Sequence, residues 1–259
     1  MKRSGNTILI TGGGTGIGLA LVEILLEEGN EVIICGRTKA TLEDAQRRFP
    51  KLNTFIADLS NQAGREAVKS EVSRRFPKLN VLINNAGICS ITDIMHPDYI
   101  ATLERELATN LIGPIALIQQ LMPILEKQHD STIVNVTSGY VFIPSVQSSA
   151  YTLSKIGLRT ITQSLRFQLD QRMIRVVEVI PPAVDTQMNK GKDVSLMTTK
   201  IFAKKVLKGL INDDDEIIVG VSKLAKLLSR IAPKFGFKKM NMDEKKQRVN
   251  RGLGDVHIA

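Results

Sequence analysis

Asn6-Thr7-Ile8-Leu9-Ile10-Thr11 runs straight into Gly12-Gly13-Gly14-Thr15-Gly16-Ile17-Gly18 and then into Leu19, Val22, Leu25 and Leu26, and the reading of this stretch decides the fold. The short, mostly apolar run reads as a buried strand and the glycines as a turn. The apolar residues spaced by three and four then read as a helix with one buried face. A helix N-terminus that follows such a turn presents unpaired backbone N–H groups and the positive end of its dipole, which together favour a phosphate. Gly12 permits the tight turn, Gly16 lets the backbone approach a pyrophosphate, and Gly18 allows the helix to pack close to the strand.

Outward from this unit the same alternation continues. Apolar runs near 7–11, 31–35, 53–57, 79–84, 131–137, 174–180 and 216–220 are mostly separated by helical stretches. Alternation of this kind predicts an α/β chain, a doubly wound parallel sheet of about seven strands (a Rossmann fold). Val32-Ile33-Ile34 and Ile133-Val134-Asn135-Val136 are apolar on both sides, so helices must cover both faces of the sheet. At 259 residues with 43% hydrophobic content, and with no Pro/Gly/Ser linker, repeat or low-complexity stretch, residues 1–259 read as one nucleotide-binding domain.

Composition bounds the function. No continuous apolar run reaches the roughly 18–20 residues that span a bilayer, and Met1-Lys2-Arg3-Ser4-Gly5-Asn6 leads directly into the first strand. Cys35 and Cys89 are too few for a disulfide framework, and a cytoplasmic protein is expected. Cys89 reads as a small packing residue rather than a reactive thiol. His96, His129 and His257 lack ligand spacing, so no metal site is expected. Of the net charge of +9, most lies in residues 190–259, with 16 Lys/Arg against 8 Asp/Glu, which argues against nucleic acid as partner.

Tyr151 and Lys155 lie four residues apart, on one face of a helix. A free phenol has a pKa of about 10, and an opposite charge nearby lowers it by roughly 1–3 units. The pair therefore reads as an acid able to trade protons near neutral pH.

From residue 6 to about 190 the chain resembles the short-chain dehydrogenase/reductase family. Thr11-Gly12-Gly13-Gly14-Thr15-Gly16-Ile17-Gly18 resembles its TGxxxGxG loop, Asp58-Leu59 its adenine-contacting acidic position, and Asn84-Asn85-Ala86-Gly87 its NNAG segment. Asn110, Ser138, Tyr151 and Lys155 match its catalytic four, with Ser138 lying 13 residues before the tyrosine. Pro181-Pro182-Ala183-Val184-Asp185-Thr186 resembles PGxxxT with proline in place of glycine, which removes a flexible position and a backbone donor.

The resemblance implies that Gly12, Gly14, Thr15, Gly16, Ile17 and Gly18 hold a dinucleotide together with Asp58, Leu59, Asn84, Ala86 and Gly87. Pro181, Val184, Thr186, Tyr151 and Lys155 complete the cofactor contacts, Thr186 at the nicotinamide carboxamide. Tyr151 would act as general acid/base, Ser138 would hold the substrate oxygen, and Lys155 would lower the Tyr151 pKa and bond the ribose. Asn110 would support a proton path to the lysine. It also implies homodimers or homotetramers, formed through helices at 98–128 and 148–172.

Cofactor choice is read at Gly36-Arg37, where an acidic side chain would repel a 2′-phosphate. Arg37 can instead grip that phosphate through paired charge-assisted bonds, so NADP(H) is expected and NAD(H) is the weaker fit.

The whole predicts an NADP(H)-dependent oxidoreductase acting on a carbonyl/alcohol pair. Residues 88–97, 139–150 and the substrate loop 187–210 set the substrate. Phe142, Ile143, Val146, Met188, Leu196 and Met197 predict an apolar one.

The alternative is an NADPH-binding sensor that uses the basic C-terminal extension, 221–259, to hold a partner. Val221, Leu224, Leu227, Leu228 and Ile231 form one apolar stripe there, with Lys223, Lys226 and Arg230 opposite. Packing beside the cleft or at a subunit contact ranks above a membrane surface for this helix.

Overall fold

The computed structural model describes residues 1–190 and 195–242. Seven strands form one all-parallel sheet: β1 Thr7–Thr11, β2 Glu31–Gly36, β3 Asn53–Ile56, β4 Val81–Asn84, β5 Ser131–Val136, β6 Ile174–Ile180 and β7 Glu216–Ile218. Their order is β3-β2-β1-β4-β5-β6-β7. β1 pairs with β2 on one side (Ile8 opposite Val32) and with β4 on the other (Ile8 opposite Val81). The winding direction reverses between β1 and β4, and ligands of such sheets bind at that switch point, beyond the strand carboxyl ends.

The helices are α1 Gly16–Glu27, α2 Lys39–Arg48, α3 Gln62–Arg75, α4 Tyr99–Leu107, α5 Gly113–Leu125, α6 Ser149–Gln168, α7 Thr199–Ile211, α8 Ser222–Ile231 and α9 Pro233–Met240. Alternate side chains of each strand feed opposite cores. Ile8 and Ile10 join Leu21, Leu25, Phe202, Val206 and Leu210, from α1 and α7, on one face. Leu9 and Ile33 join Val68, Val72, Leu117 and Leu121, from α3 and α5, on the other. Burying each such side chain contributes about 1.5–3 kcal/mol. α1 stops because Gly29 N–H donates to the Leu26 carbonyl and Asn30 N–H to the Leu25 carbonyl, which turns the chain into β2.

Two expectations need correction. The substrate loop expected over 187–210 is shorter: α7 buries Phe202, Ala203, Val206, Leu207 and Leu210 and is a core helix, so loop geometry ends at Thr198, whose hydroxyl caps α7 by accepting from Ile201 N–H. Residues 191–194 of that loop, and 243–259 of the basic extension with His257, lie outside the described residues.

The second correction concerns apolar length. α4, a π-helical turn over Ala108–Ile112, and α5 form one helix, Tyr99–Leu125, long and apolar enough by composition to cross a membrane. Polar residues break the run in sequence, while Leu117, Leu121 and Leu125 pack it onto the sheet.

Candidate active site

The glycine loop bridges β1 and α1. Gly12 and Gly16 have φ of +64° and +54°, a region that a Cβ disfavours. A Cβ on Gly18 would sit 2.3 Å from the Gly12 carbonyl oxygen, so α1 can approach β1 only with glycine there. Thr15 caps α1 without a side-chain hydrogen bond, and the first turn carries no acidic residue. Its N-terminal charge is left for an anion.

The Thr11 hydroxyl accepts from Asn85 N–H and Ala86 N–H, both at 3.0 Å. Asn85 Nδ2 in turn donates to the Thr11 and Gly12 carbonyls. These bonds clamp Asn84–Gly87, at the end of β4, against the loop. A methyl at Gly16 would lie 3.1 Å from Thr186 Cγ2, so the segment after β6 closes the other side.

The proline in that segment is accommodated: Pro181 carbonyl accepts from Gly139 N–H, Asp185 N–H donates to Met197, and Val184 is buried. Asn84 Oδ1 is buried without a partner among the described residues, while its Nδ2 donates to Asn135 Oδ1 at 2.9 Å. Glycines that a Cβ would fill, an uncapped helix start and an orphaned buried acceptor at the switch point together fit a dinucleotide.

At the far end of this groove Asp58 follows β3, and its carboxylate accepts from Ser60 N–H and Oγ. Leu59 is a core residue. Arg37 is exposed beyond β2, with no ion pair among the described residues, whereas Lys39 pairs with Glu43 along α2.

Opposite the glycine loop, β5 ends at Val136 and delivers Ser138, while α6 presents Tyr151 and Lys155. Tyr151 is 8% and Lys155 3% exposed. Ser138 hydrogen-bonds the Tyr151 phenol, and Tyr140 meets the Tyr151 ring edge-on at 6.2 Å.

Lys155 Nζ donates to the Val136 carbonyl at 2.8 Å and lies 5.7 Å from the Tyr151 ring centroid. In this structure burial, more than their mutual attraction, sets the direction of both pKa values. Burial pushes the Tyr151 phenol up, the Ser138 hydrogen bond opposing it only in part, while burial pulls Lys155 down to about 8. Desolvation acts on both groups at once and leaves the ammonium partly neutral near pH 8, so its pull on the phenol fades.

Asn110 is fully buried at the π-helical turn, a local widening that recurs at functional sites. Its Oδ1 accepts from Ile88 N–H at 2.9 Å, and its Nδ2 donates to the Ile88 carbonyl and Ser154 Oγ. A methyl on Gly87 would lie 3.4 Å from Asn110 Oδ1 and 3.5 Å from Lys155 Nζ, so the two side chains converge on Gly87.

Several residues expected to line an apolar substrate pocket do other work. Phe142 lies under the Arg159 guanidinium at 5.0 Å, Ile143 is buried against α9, and Met197 packs on the core. Val146 and Met188 remain exposed.

Sequence reasoning missed an ion network one turn beyond Lys155. Arg159 donates to buried Glu178 at 2.6 Å and to Glu216 at 2.8 Å, and Lys226 closes on Glu216. Glu178 also accepts from Thr137, next to Ser138. The signal was present as a third member of the Tyr151/Lys155 spacing and as a lone acid in Val176-Val177-Glu178-Val179-Ile180. Also missed was Glu106, fully buried one turn before Asn110, which accepts from Ser90 N–H and is pushed up by burial.

A family model described as short chain dehydrogenase matches residues 6–195. The chain belongs to the short-chain dehydrogenase family. This short-chain dehydrogenase is 38% identical over 224 residues to the uncharacterized oxidoreductase DltE of Bacillus subtilis, covering 84% of this chain and 89% of that protein. It is 26% identical to a fatty acyl-CoA reductase of Acinetobacter baylyi, over 88% of this chain and 81% of the relative. A benzil reductase of Saccharomyces cerevisiae is 32% identical over 72% of this chain and 74% of its own. Among solved structures, a short chain dehydrogenase of Burkholderia cenocepacia in complex with NADP superposes with a TM-score of 0.83 at 24% identity, covering 93% and 99% of the two chains. One from Sphingobium yanoikuyae in complex with NADPH gives 0.76 at 23% identity, covering 98% of each. These two likenesses establish the fold of the short-chain dehydrogenase.

Proposed function

We propose that the protein is an NADP(H)-dependent oxidoreductase that interconverts a carbonyl and an alcohol, with Tyr151 as the proton-transfer group. The observation that carries this reading is the hydrogen-bonded Ser138–Tyr151 pair with Lys155 behind it, facing a glycine loop and an Asn84–Gly87 clamp. When bound, the reduced nicotinamide supplies the hydride.

The chain's own groups supply the rest. Tyr151, held protonated by its buried setting, donates to the substrate oxygen, and Ser138 positions that oxygen. Lys155 holds the ribose and Asn110 fixes the backbone at Ile88. Asp58 and Leu59 bound the adenine end. Arg37, exposed and without an ion pair among the described residues where an acid would select NAD(H), supports a 2′-phosphate contact. NADP and NADPH in the two similar solved structures, and the reductase names of two relatives, support the same reading. The sensor alternative is not favoured, because a proton donor has no role in a pure sensor.

Exposed Ile112 and Leu153, on the helices at 98–128 and 148–172, support a homodimer or homotetramer formed there, and a chain with only two cysteines, Cys35 and Cys89, suits a cytoplasmic setting.

The test is titration with NADPH and NADH followed by a carbonyl panel, with Tyr151→Phe as control. The reading expects NADPH to bind tightly and turnover to fall about 10²–10⁴-fold in the variant. NADPH binding with no turnover of any carbonyl, or equal turnover by Tyr151→Phe, would overturn it.

A further inference from the structure

α8 and α9 pack on the protein the wrong way round for a helix of a soluble domain. An amphipathic surface helix ordinarily buries its large apolar residues and shows its polar ones. Here the buried residues are small, Ser222 and Ala225 of α8 and Gly236 of α9, with Leu228 and Phe237 half-buried beside them. Five other large ones stand out in solvent, with Val221 70%, Leu224 52%, Leu227 52%, Ile231 68% and Phe235 58% exposed. On α8, Val221, Leu224, Leu227 and Ile231 fall at helical spacing, flanked by Lys223 and Arg230, and α9 adds exposed Phe235 with Lys234, Lys238 and Lys239. Residues 222–240 contain no acidic residue at all. Among the described residues, Lys226 is the one cation of this stretch spent internally, on Glu216.

Charge decides what can cover this face. Two copies joined through the same patch would set its cations against themselves with no acid to neutralise them. An apolar row with a basic margin instead matches an anionic lipid surface, where the side chains enter the boundary between headgroups and acyl chains and the cations pair with phosphates. We propose that the α8–α9 face docks the protein on an anionic lipid bilayer.

The platform is joined to the loop that follows Ser138. Ser222 Oγ and Gly139 N–H both donate to the Pro181 carbonyl, and Asn241 accepts from Val146 N–H and donates to the Pro144 carbonyl. The segment 139–148 is thereby stitched to the surface that would meet lipid. Resting on the redox reading above, this placement favours an apolar carbonyl dissolved in the bilayer as substrate.

The test is flotation of the full chain with vesicles of equimolar phosphatidylglycerol and phosphatidylcholine, beside pure phosphatidylcholine, without cofactor. Vesicle binding needs no chemistry, so its failure is separable from failure of the redox reading, which NADPH titration and turnover report. Flotation with the anionic vesicles only is expected, weakened by salt. Leu227→Gln with Ile231→Gln should weaken it at least about tenfold, and Lys234→Glu with Lys238→Glu should abolish it. All four sites are exposed, and unchanged circular dichroism and NADPH affinity would show that the variants fold. No flotation by the native chain, or flotation unaltered in both variants, would overturn the proposal. So would a native dimer that Leu227→Gln with Ile231→Gln converts to a monomer in sedimentation, since a second copy would then own the face.

Discussion

Lys155→Met should make the cofactor-free protein more stable at neutral pH while removing its activity. Lys155 is buried and its pKa is pulled from 10.5 down to about 8, desolvation being the largest cause. An unfolded lysine stays charged until about 10.5, so between those two values folding expels a proton and native stability climbs with pH. Below both values the native state carries an ammonium it solvates poorly, at a cost of about 3 kcal/mol at pH 7, falling to about 1 kcal/mol at pH 9.5.

Methionine keeps the length of the side chain and omits the charge. It also strands the Val136 carbonyl, which Lys155 Nζ satisfies at 2.8 Å, at a cost of about 1 kcal/mol. The net expectation is a gain of about 2 kcal/mol at pH 7, shrinking to near zero at pH 9.5. Urea unfolding of native and variant protein at both pH values, followed by far-ultraviolet circular dichroism, measures it directly. A variant less stable at pH 7, or a difference that does not change with pH, would refute the reasoning.

Other outcomes follow from the same geometry. Gly18→Ala should abolish NADPH binding and cost about 1–3 kcal/mol of stability, since its methyl would land 2.3 Å from the Gly12 carbonyl oxygen; isothermal titration and thermal melting would show both. Arg37→Ala should weaken NADPH by about 10–100-fold, the worth of a charge-assisted contact, and leave NADH affinity unchanged; an equal loss for both would move the 2′-phosphate elsewhere. Glu178→Leu should cost about 1–3 kcal/mol, since Arg159 loses its buried partner but keeps Glu216 and Thr137 loses its acceptor, and adding Arg159→Leu should recover part of it; denaturant midpoints of single and double variants would decide.

Much of this molecule is legible in the sequence because parallel sheets buried on both faces write themselves as apolar runs. All seven strands fall within a few residues of their expected spans, and the glycine loop, clamp and Ser138–Tyr151–Lys155 group meet at one edge. What the sequence hid depends on burial rather than on residue type. A tyrosine and a lysine four apart imply mutual assistance in water, but at 8% and 3% exposure desolvation outweighs attraction and moves both pKa values the other way. Phe142 looked like a pocket wall because nothing in its neighbourhood announces that Arg159, seventeen residues on, would cover its ring. The α8 stripe was visible, but the side of the helix that faces the protein was set by Ser222 and Ala225, which pattern rules pass over.

The sheet order carries a consequence for how the protein reaches its working form. β4 lies between β1 and β5, so the glycine loop and Ser138 belong to halves of the sheet that meet only through a strand about 70 residues away from β1 in the chain. A folding species holding β1, β2 and β3 alone has the loop without the Asn85 clamp. One holding β5, β6 and β7 has the tyrosine without an opposing wall. A complete nucleotide site therefore requires both halves docked through β4, and a cofactor that binds only the completed site stabilises the assembled sheet.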